Sequence, residues 1–257
     1  MYPLNSVMNP ARPKGKHVDP ASDYLICFYE VLNNHFGNLH WWPGGSTLEI
    51  LIGAVLTQNT AWRNVEQAIR NLKRESLICI EDILDIDQMV LEELLRPTGF
   101  FRVKIKRLRN LLQFIAANYD GDLERMFEEE IWSLREKLLS IHGIGEETAD
   151  CILLYGGLKS IFVVDAYTRR ILERHGLLGP KMTYGDIQDL FMSRLPHDQP
   201  LFGQYHALLV EAGKRFCRNV PRCGECPLKK FLVETVKPPQ TGKNRNGEKA
   251  CCLKSET

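Results

Sequence analysis

The sequence predicts an all-α protein, on three observations. Apolar residues recur at three- and four-residue spacing in almost every segment between the two chain ends. Those segments are punctuated by capping residues at their starts and by Gly or Pro at their ends. The one strand-like run, "SIFVVD" (160–165), is too short and isolated to build a sheet. About ten helices with short connections fit the pattern, and no internal repeat is visible.

The elements follow in order. Residues 1–20 are polar and aperiodic and read as a disordered tail. Ser22 or Asp23 can cap a helix through Asn34, with Tyr24, Ile26, Cys27, Val31 and Leu32 as its apolar positions. Ser46 or Thr47 opens a second helix, running to about Gln58. Thr60 caps "TAWRNVEQAIRNLKRE", in which Val65, Ala68, Ile69 and Leu72 form one stripe. "ILDIDQMVLEELLR" reads as helix and stops before Pro97 and Gly99. Further helices fit 100–118, 130–140, 145–156, 166–175, 183–195 and 198–216, and 236–257 reads as a second tail.

Composition bounds the function. The chain has 257 residues, 44% hydrophobic and 25% charged, which fits a soluble globular protein of one large or two modest domains. No apolar run approaches the roughly 20 residues of a bilayer span, so no membrane partner is expected. The first 20 residues lack an apolar signal core, so a cytoplasmic location is expected. Eight cysteines in that setting read as thiols or metal ligands rather than disulfides. The net charge of +1 conceals segregation. Arg96, Arg102, Lys104, Lys106, Arg107 and Arg109 crowd one stretch, and Lys214, Arg215, Arg218, Arg222, Lys229 and Lys230 another. Glu81, Asp82, Asp85, Asp87, Glu92 and Glu93 form an acidic counterpart. Such segregation suits a face that meets a polyanion, and equally suits ordinary solvated helix faces.

The stretch "IHGIGEETADCILLYG" (141–156) carries the sharpest local signal. Gly143 and Gly145 allow a tight turn, and the helix behind them aims unpaired N–H groups at a potential anion. With "EKLLSIH" upstream, the unit reads as helix–hairpin–helix. Further on, "IFVVDAYTRRILERHG" places Asp165 at a helix N-cap after a buried apolar run. Capping alone explains an Asp there, and the same N–H groups keep its carboxylate ionised.

Hairpin, Gly-rich turn, helix, apolar run and Asp together resemble the endonuclease III superfamily of DNA base-excision glycosylases, over about 22–230. "LIGAVLTQNTAW" (51–62) resembles the segment carrying the family's DNA-penetrating Gln, here Gln58, followed by Asn59. "RPTGFFRVKIKRL" resembles its second DNA-contacting loop. The resemblance implies a two-domain helical DNA glycosylase fold with the active-site cleft between the domains. Residues 21–45 would pack with the C-terminal part, 46–157 would form a helical barrel that includes the hairpin, and 158–235 would form a C-terminal helical domain with a Cys loop. It implies Asp165 as catalytic carboxylate, duplex DNA contacts at Gln58, Asn59, Gly143 and Gly145, and action as a monomer.

Two departures refine the expectation. Bifunctional members carry a nucleophilic Lys where this chain has Glu147, and a carboxylate cannot form a Schiff base. A monofunctional enzyme is therefore expected, without AP-lyase activity. "HWWPGGSTLEILIGAVLTQNTAW" and "GIGEETAD" most closely resemble the 3-methyladenine DNA glycosylase III group, which carries a base pocket over to Trp41, Trp42, Pro43 and Trp62, with Glu147 beside it. Aromatic faces attract a cationic alkylated purine, with stacking worth about 1–3 kcal/mol per base. The alternatives are a pyrimidine or mismatch glycosylase on the same fold, and a damage-binding protein without catalysis. The second departure is the Cys loop. Relatives often hold a [4Fe–4S] cluster with Cys-x6-Cys-x2-Cys-x5-Cys, whereas this chain has Cys217-x5-Cys223-x2-Cys226 and Leu232 in fourth place. Either a structural cluster completed by Cys251, Cys252 or His206, or a metal-free loop of reduced thiols, fits that pattern, with zinc a weaker option. Cys27, Cys79 and Cys151 read as core, while the resemblance puts Tyr167, Tyr205 and His206 near the expected site, each read as core packing rather than catalytic.

Overall fold

The structure, a computed structural model, describes residues 20–41 and 45–232. Among these residues every regular element is helical. The succession is α1 (Pro20–Phe36), α2 (Thr47–Leu56), α3 (Trp62–Arg74), α4 (Ile80–Asp85), α5 (Gln88–Leu95), α6 (Phe101–Tyr119), α7 (Leu123–Glu128), α8 (Ile131–Ser140), α9 (Glu146–Cys151), α10 (Ala166–Arg174), α11 (Tyr184–Met192) and α12 (Gln199–Arg215). Tight 3₁₀ turns occupy Arg96–Thr98, Cys223–Glu225 and Pro227–Phe231. Among the described residues no helix is long and apolar enough to cross a membrane.

Local chemistry explains most boundaries. Ser46 caps α2 in a reciprocal box with Glu49. The stretch read as one helix over 83–96 splits, because Asp87 turns its carboxylate onto the N–H groups of Met89 and Val90 and starts α5 afresh. α3 begins one residue later than expected, with Ala61 rather than Thr60 at the cap position. α1 already begins at Pro20, which puts Ser22 and Asp23 inside it. α9 does not continue regularly to 156: from Ile152 to Gly156 it widens into a π turn, with the Gly157 N–H on the Ile152 carbonyl at 3.0 Å.

The strand-like run is an extended segment threaded through the core. Ile161, Phe162 and Val163 are fully buried, and Phe162 stacks on Phe191 at 3.8 Å. Its backbone groups find side-chain partners in place of a sheet. Gln188 donates to the Phe162 carbonyl at 2.7 Å, and the Val164 N–H donates to the Tyr184 hydroxyl oxygen at 3.2 Å.

Two helical groups meet along the 146–156 helix. α2, α3, α5 and α6 pack together, as do α1, α10 and α12; α2 and α12 both pack against the π turn. A buried polar node ties this seam. The Asp150 carboxylate, 0% exposed, accepts two bonds from Arg135 (2.7 and 3.1 Å), one from Tyr184 (2.8 Å) and one from Gln188 (2.7 Å).

Candidate functional site

The hairpin between α8 and α9 is built around Gly143. Its φ of +97° lies in the left-handed region, and an added Cβ would stand 2.3 Å from Arg107 Cγ. Gly145 has an ordinary φ of −98°, caps α9 without a side chain, and faces open space. The α9 N–H groups therefore open onto solvent. Gln58, at the end of α2, lies across this turn: its Nε2 donates to the Gly143 carbonyl (3.3 Å) and to Thr148 Oγ1 (3.0 Å), and its Oε1 accepts from Arg107. Asn59 follows as an exposed residue at φ +54°. α6, which supplies Arg107, begins behind Phe100, a residue 80% exposed at φ +46°. Two turns of helix, about 10 Å, separate Phe100 from Arg107.

The basic stretch on α6 is only partly available to a polyanion. Lys104 is buried and donates to the Thr98 carbonyl at 2.7 Å, and burial with the neighbouring Arg107 pushes its ammonium down to about 8. Arg109 holds the Ile86 carbonyl, and Arg102 pairs with Glu92.

A second constellation lies where the two helical groups meet. Asp165 caps α10, accepting from the Thr168 N–H at 2.7 Å. Its other carboxylate oxygen is 3.9 Å from His206 Nε2 on α12. Glu147, Cys151 and Tyr155, four residues apart on the 146–156 helix, each share an electrostatic interaction with Asp165. The two consecutive acids diverge. Glu146 turns back to Arg135 at 3.6 Å, whereas Glu147 goes to Asp165. Glu147 is an exposed residue overall, and desolvation of its carboxyl, with the like charge of Asp165, raises it to about 7. The Cys151 thiol is pushed well above its usual range by burial and by Glu147, Asp150 and Asp165, so it is protonated and unreactive.

A carboxyl raised on folding stabilises the fold most when protonated. The Glu147 contribution is complete below its ordinary value of 4.5 and is lost as pH rises through about 7. Urea unfolding at pH 5 and pH 8 is therefore expected to show a decline in stability that Glu147→Gln flattens; equal declines in both proteins would contradict this.

Lys214, also on α12, completes the group. Its Nζ stands 4.5 Å over the Trp41 ring and interacts with Asp165, and burial lowers its pKa against the pull of Glu211 and Asp165. Trp41 thus already presents a face to a cation beside the carboxylates. Trp62 opens α3, packs partly against the core and donates to Glu66 at 2.9 Å within its own helix. Trp42 and Pro43 lie outside the described residues. Sequence reasoning named Lys214 only within a basic run, passed over Tyr155, read Cys151 as core, and gave His206, near the expected site, a packing role; all four interact with Asp165. Tyr205 is core, its hydroxyl on the Leu25 carbonyl at 2.7 Å, and Tyr167 packs on Gly213. Cys79 is not core: it caps α4, with its thiol on Glu81 at 3.0 Å.

Cys217, Cys223 and Cys226 line one small cavity, and Leu232 shares its wall where a fourth thiol would be needed. Arg174 donates to the Cys217 sulfur at 3.3 Å. His206 is engaged with Tyr155 and Asp165, away from this loop. Among the described residues no three His, Cys, Asp or Glu side chains stand together as a metal site, and a four-thiolate cluster does not fit the donor set there. Cys251 and Cys252 lie outside the described residues.

Comparison with known proteins agrees with this geometry. Residues 52–197 match the HhH-GPD superfamily of base excision DNA repair proteins. The chain is 46% identical over 213 residues to the candidate DNA repair glycosylase MJ1434 of Methanocaldococcus jannaschii, covering 82% of this chain and 96% of that one. It is 29% identical over 181 residues to endonuclease III of Thermotoga maritima, covering 70% and 79%. The H. pylori 3-methyladenine DNA glycosylase MagIII bound to 1,N6-ethenoadenine superposes with a TM-score of 0.65 at 29% identity, over 76% of this chain and 97% of that one. An endonuclease III–DNA complex shares the fold at 20% identity, with a TM-score of 0.71 over 84% and 97%. Family match, relatives and fold agree: the chain belongs to the HhH-GPD superfamily of base excision DNA repair glycosylases.

Proposed function

We propose that this glycosylase is monofunctional: it hydrolyses the N-glycosidic bond of alkylated purines of the 3-methyladenine type in duplex DNA. The observation that carries the reading is the carboxyl of Glu147 beside Asp165, where the strand-cleaving relatives described above place an amine. A second acid cannot attack C1′ to give a Schiff base, and it favours a cationic substrate. Trp41 supports the same preference, since its ring already carries the Lys214 ammonium.

The reaction follows from this arrangement. The damaged nucleotide leaves the stack and Gln58 fills the gap; to do so it exchanges its bonds to Gly143, Thr148 and Arg107 for bonds to DNA. The open N–H groups behind Gly143 and Gly145 receive a backbone phosphate, with Asn59 alongside. The cationic base stacks on the Trp41 face, with Trp62 the other described aromatic of the expected pocket. The C1′–N bond breaks with its electron pair passing to the base, which departs neutral. Asp165 stabilises the oxocarbenium-like sugar and takes the proton of the attacking water. The enzyme acts as a monomer on cytoplasmic DNA.

Incubation with duplexes bearing 3-methyladenine, uracil or thymine glycol, scoring base release and strand nicking separately, tests the reading. Methylated base released without nicking is expected. Lys214 favours a second reading, a glycosylase/lyase, because its ammonium is depressed and lies near Asp165. A borohydride-trapped adduct that vanishes in Lys214→Gln would establish that reading in place of ours.

The exposed Phe100 suits an apolar wedge between base steps. Phe100→Ala is expected to weaken duplex affinity about tenfold, within the 1–3 kcal/mol range of base stacking, with an unchanged melting temperature. Unchanged affinity by fluorescence anisotropy would remove it from the interface.

A further inference from the structure

Behind Asp165 lies a buried pair that the reaction above leaves unused. His206 is 5% exposed, and its Nε2, 3.9 Å from Asp165 Oδ2, is buried without a hydrogen-bond partner. On the other side of the ring, Nδ1 is 2.7 Å from the Tyr155 hydroxyl, which in turn is 3.3 Å from the Gly203 carbonyl. Burial holds the imidazole below its usual range against the pull of Asp165, with Lys214 adding to the lowering, and burial keeps the phenol protonated. The other titratable groups facing this corner are Glu147 and Cys151.

A neutral imidazole carries one N–H, and its neighbours decide where. With the proton on Nδ1, Tyr155 would donate over the longer contact to Gly203, and the Nε2 lone pair would face the Asp165 carboxylate at 3.9 Å. With the proton on Nε2, Tyr155 donates over the 2.7 Å contact and the ring N–H points at Asp165. The second arrangement converts a repulsion into an attraction in a medium that screens neither well.

We propose that Tyr155 holds His206 in its Nε2–H form, and that His206 is a positioning residue that closes onto Asp165 Oδ2 when the substrate fills the site. This rests on reading Asp165 as the catalytic carboxylate. Thr168 already fixes Oδ1, so a donor on Oδ2 sets the plane of the carboxylate and directs its remaining lone pairs toward sugar and water. Contacts of this kind are long in an unliganded enzyme and tighten in the reacting complex.

Long-range proton–nitrogen correlation spectra of the full chain report which ring nitrogen of His206 is protonated, with His206→Gln assigning the signals. Nε2–H is expected in the native protein, with a shift toward Nδ1–H in Tyr155→Phe. Nδ1–H in the native protein would overturn the proposal, whichever base is excised. Single-turnover release of 3-methyladenine supplies the second readout. His206→Leu should slow it roughly 30-fold at unchanged duplex affinity, as loss of an orienting partner does. His206→Gln, whose amide N–H can reach the same oxygen, should recover most of that rate. Equal losses in the two variants, or none in either, would also overturn the proposal. Where circular dichroism shows the leucine variant unfolded, Tyr155→Phe against native carries the comparison. Absence of 3-methyladenine release in the native protein would instead overturn the substrate proposed above and leave the tautomer result standing, with the rate comparison made on whichever of the three damaged duplexes is processed.

Discussion

Asp165→Asn is expected to lower single-turnover base release by at least ~10³-fold, about 4 kcal/mol of barrier, with duplex affinity almost unchanged. The substitution isolates charge from shape. Asparagine is as good an N-cap as aspartate, so it can keep the 2.7 Å bond from the Thr168 N–H and with it the start of α10. What it loses is the negative charge beside the developing oxocarbenium ion and the oxygen that accepts the proton of water. Retained turnover would show that Glu147, the neighbouring acid, carries the reaction. Loss of both turnover and duplex binding would show that Asp165 is structural.

The largest stability effect is expected at Asp150, a residue that never touches DNA in the reaction described here. Asp150→Ala leaves the Arg135 guanidinium, which is only 14% exposed, with Glu146 at 3.6 Å as its remaining carboxylate. It also takes one partner each from the Tyr184 hydroxyl and the Gln188 amide, which keep the Val164 N–H and the Phe162 carbonyl. Breaking a buried pair from one side costs about 3–5 kcal/mol, which for a chain of this size lowers the melting temperature by roughly 10 °C. Removing both charges, as Asp150→Leu with Arg135→Met, should restore much of the loss, because an apolar pair leaves no uncompensated ion. Thermal and urea unfolding of the three proteins decide the matter; a fully stable Asp150→Ala would mean that the node is not what joins α8, α9 and α11.

The sequence disclosed the helices because their signals are local. Ser46, Asp165, Thr183 and Asp198 each cap the helix they precede, and apolar spacing does the rest, whereas the six-residue α7 behind Asp122 was too short to show a period. Where local signals competed, the reading failed: Asp87 inside an apolar period could be a surface residue or a new start, and only its bonds to Met89 and Val90 show which. "SIFVVD" has the composition of a strand because it is buried on every side, not because it pairs with one. At the site, Asp165, Glu147 and Gln58 were legible since each stands at a motif position. Lys214 and Tyr155 were not, and His206 was placed near the site without a role, because no spacing in the chain announces that 49 and 41 residues after Asp165 a lysine and a histidine meet its carboxylate. Lys104 shows the converse, a lysine within a basic run that serves the interior.

The π turn has a consequence in angles. Side chains four apart on a regular helix advance about 40° per step beyond a full turn, so over eight residues they slip about 80° out of line. Glu147, Cys151 and Tyr155 are such a series, yet each still interacts electrostatically with the Asp165 carboxylate. The widened turn at 152–156 rotates less per residue than the regular helix and so opposes that slip. Removing a single residue there would leave α9 intact, return the turn to regular pitch, and swing Tyr155 off the line that Glu147 begins.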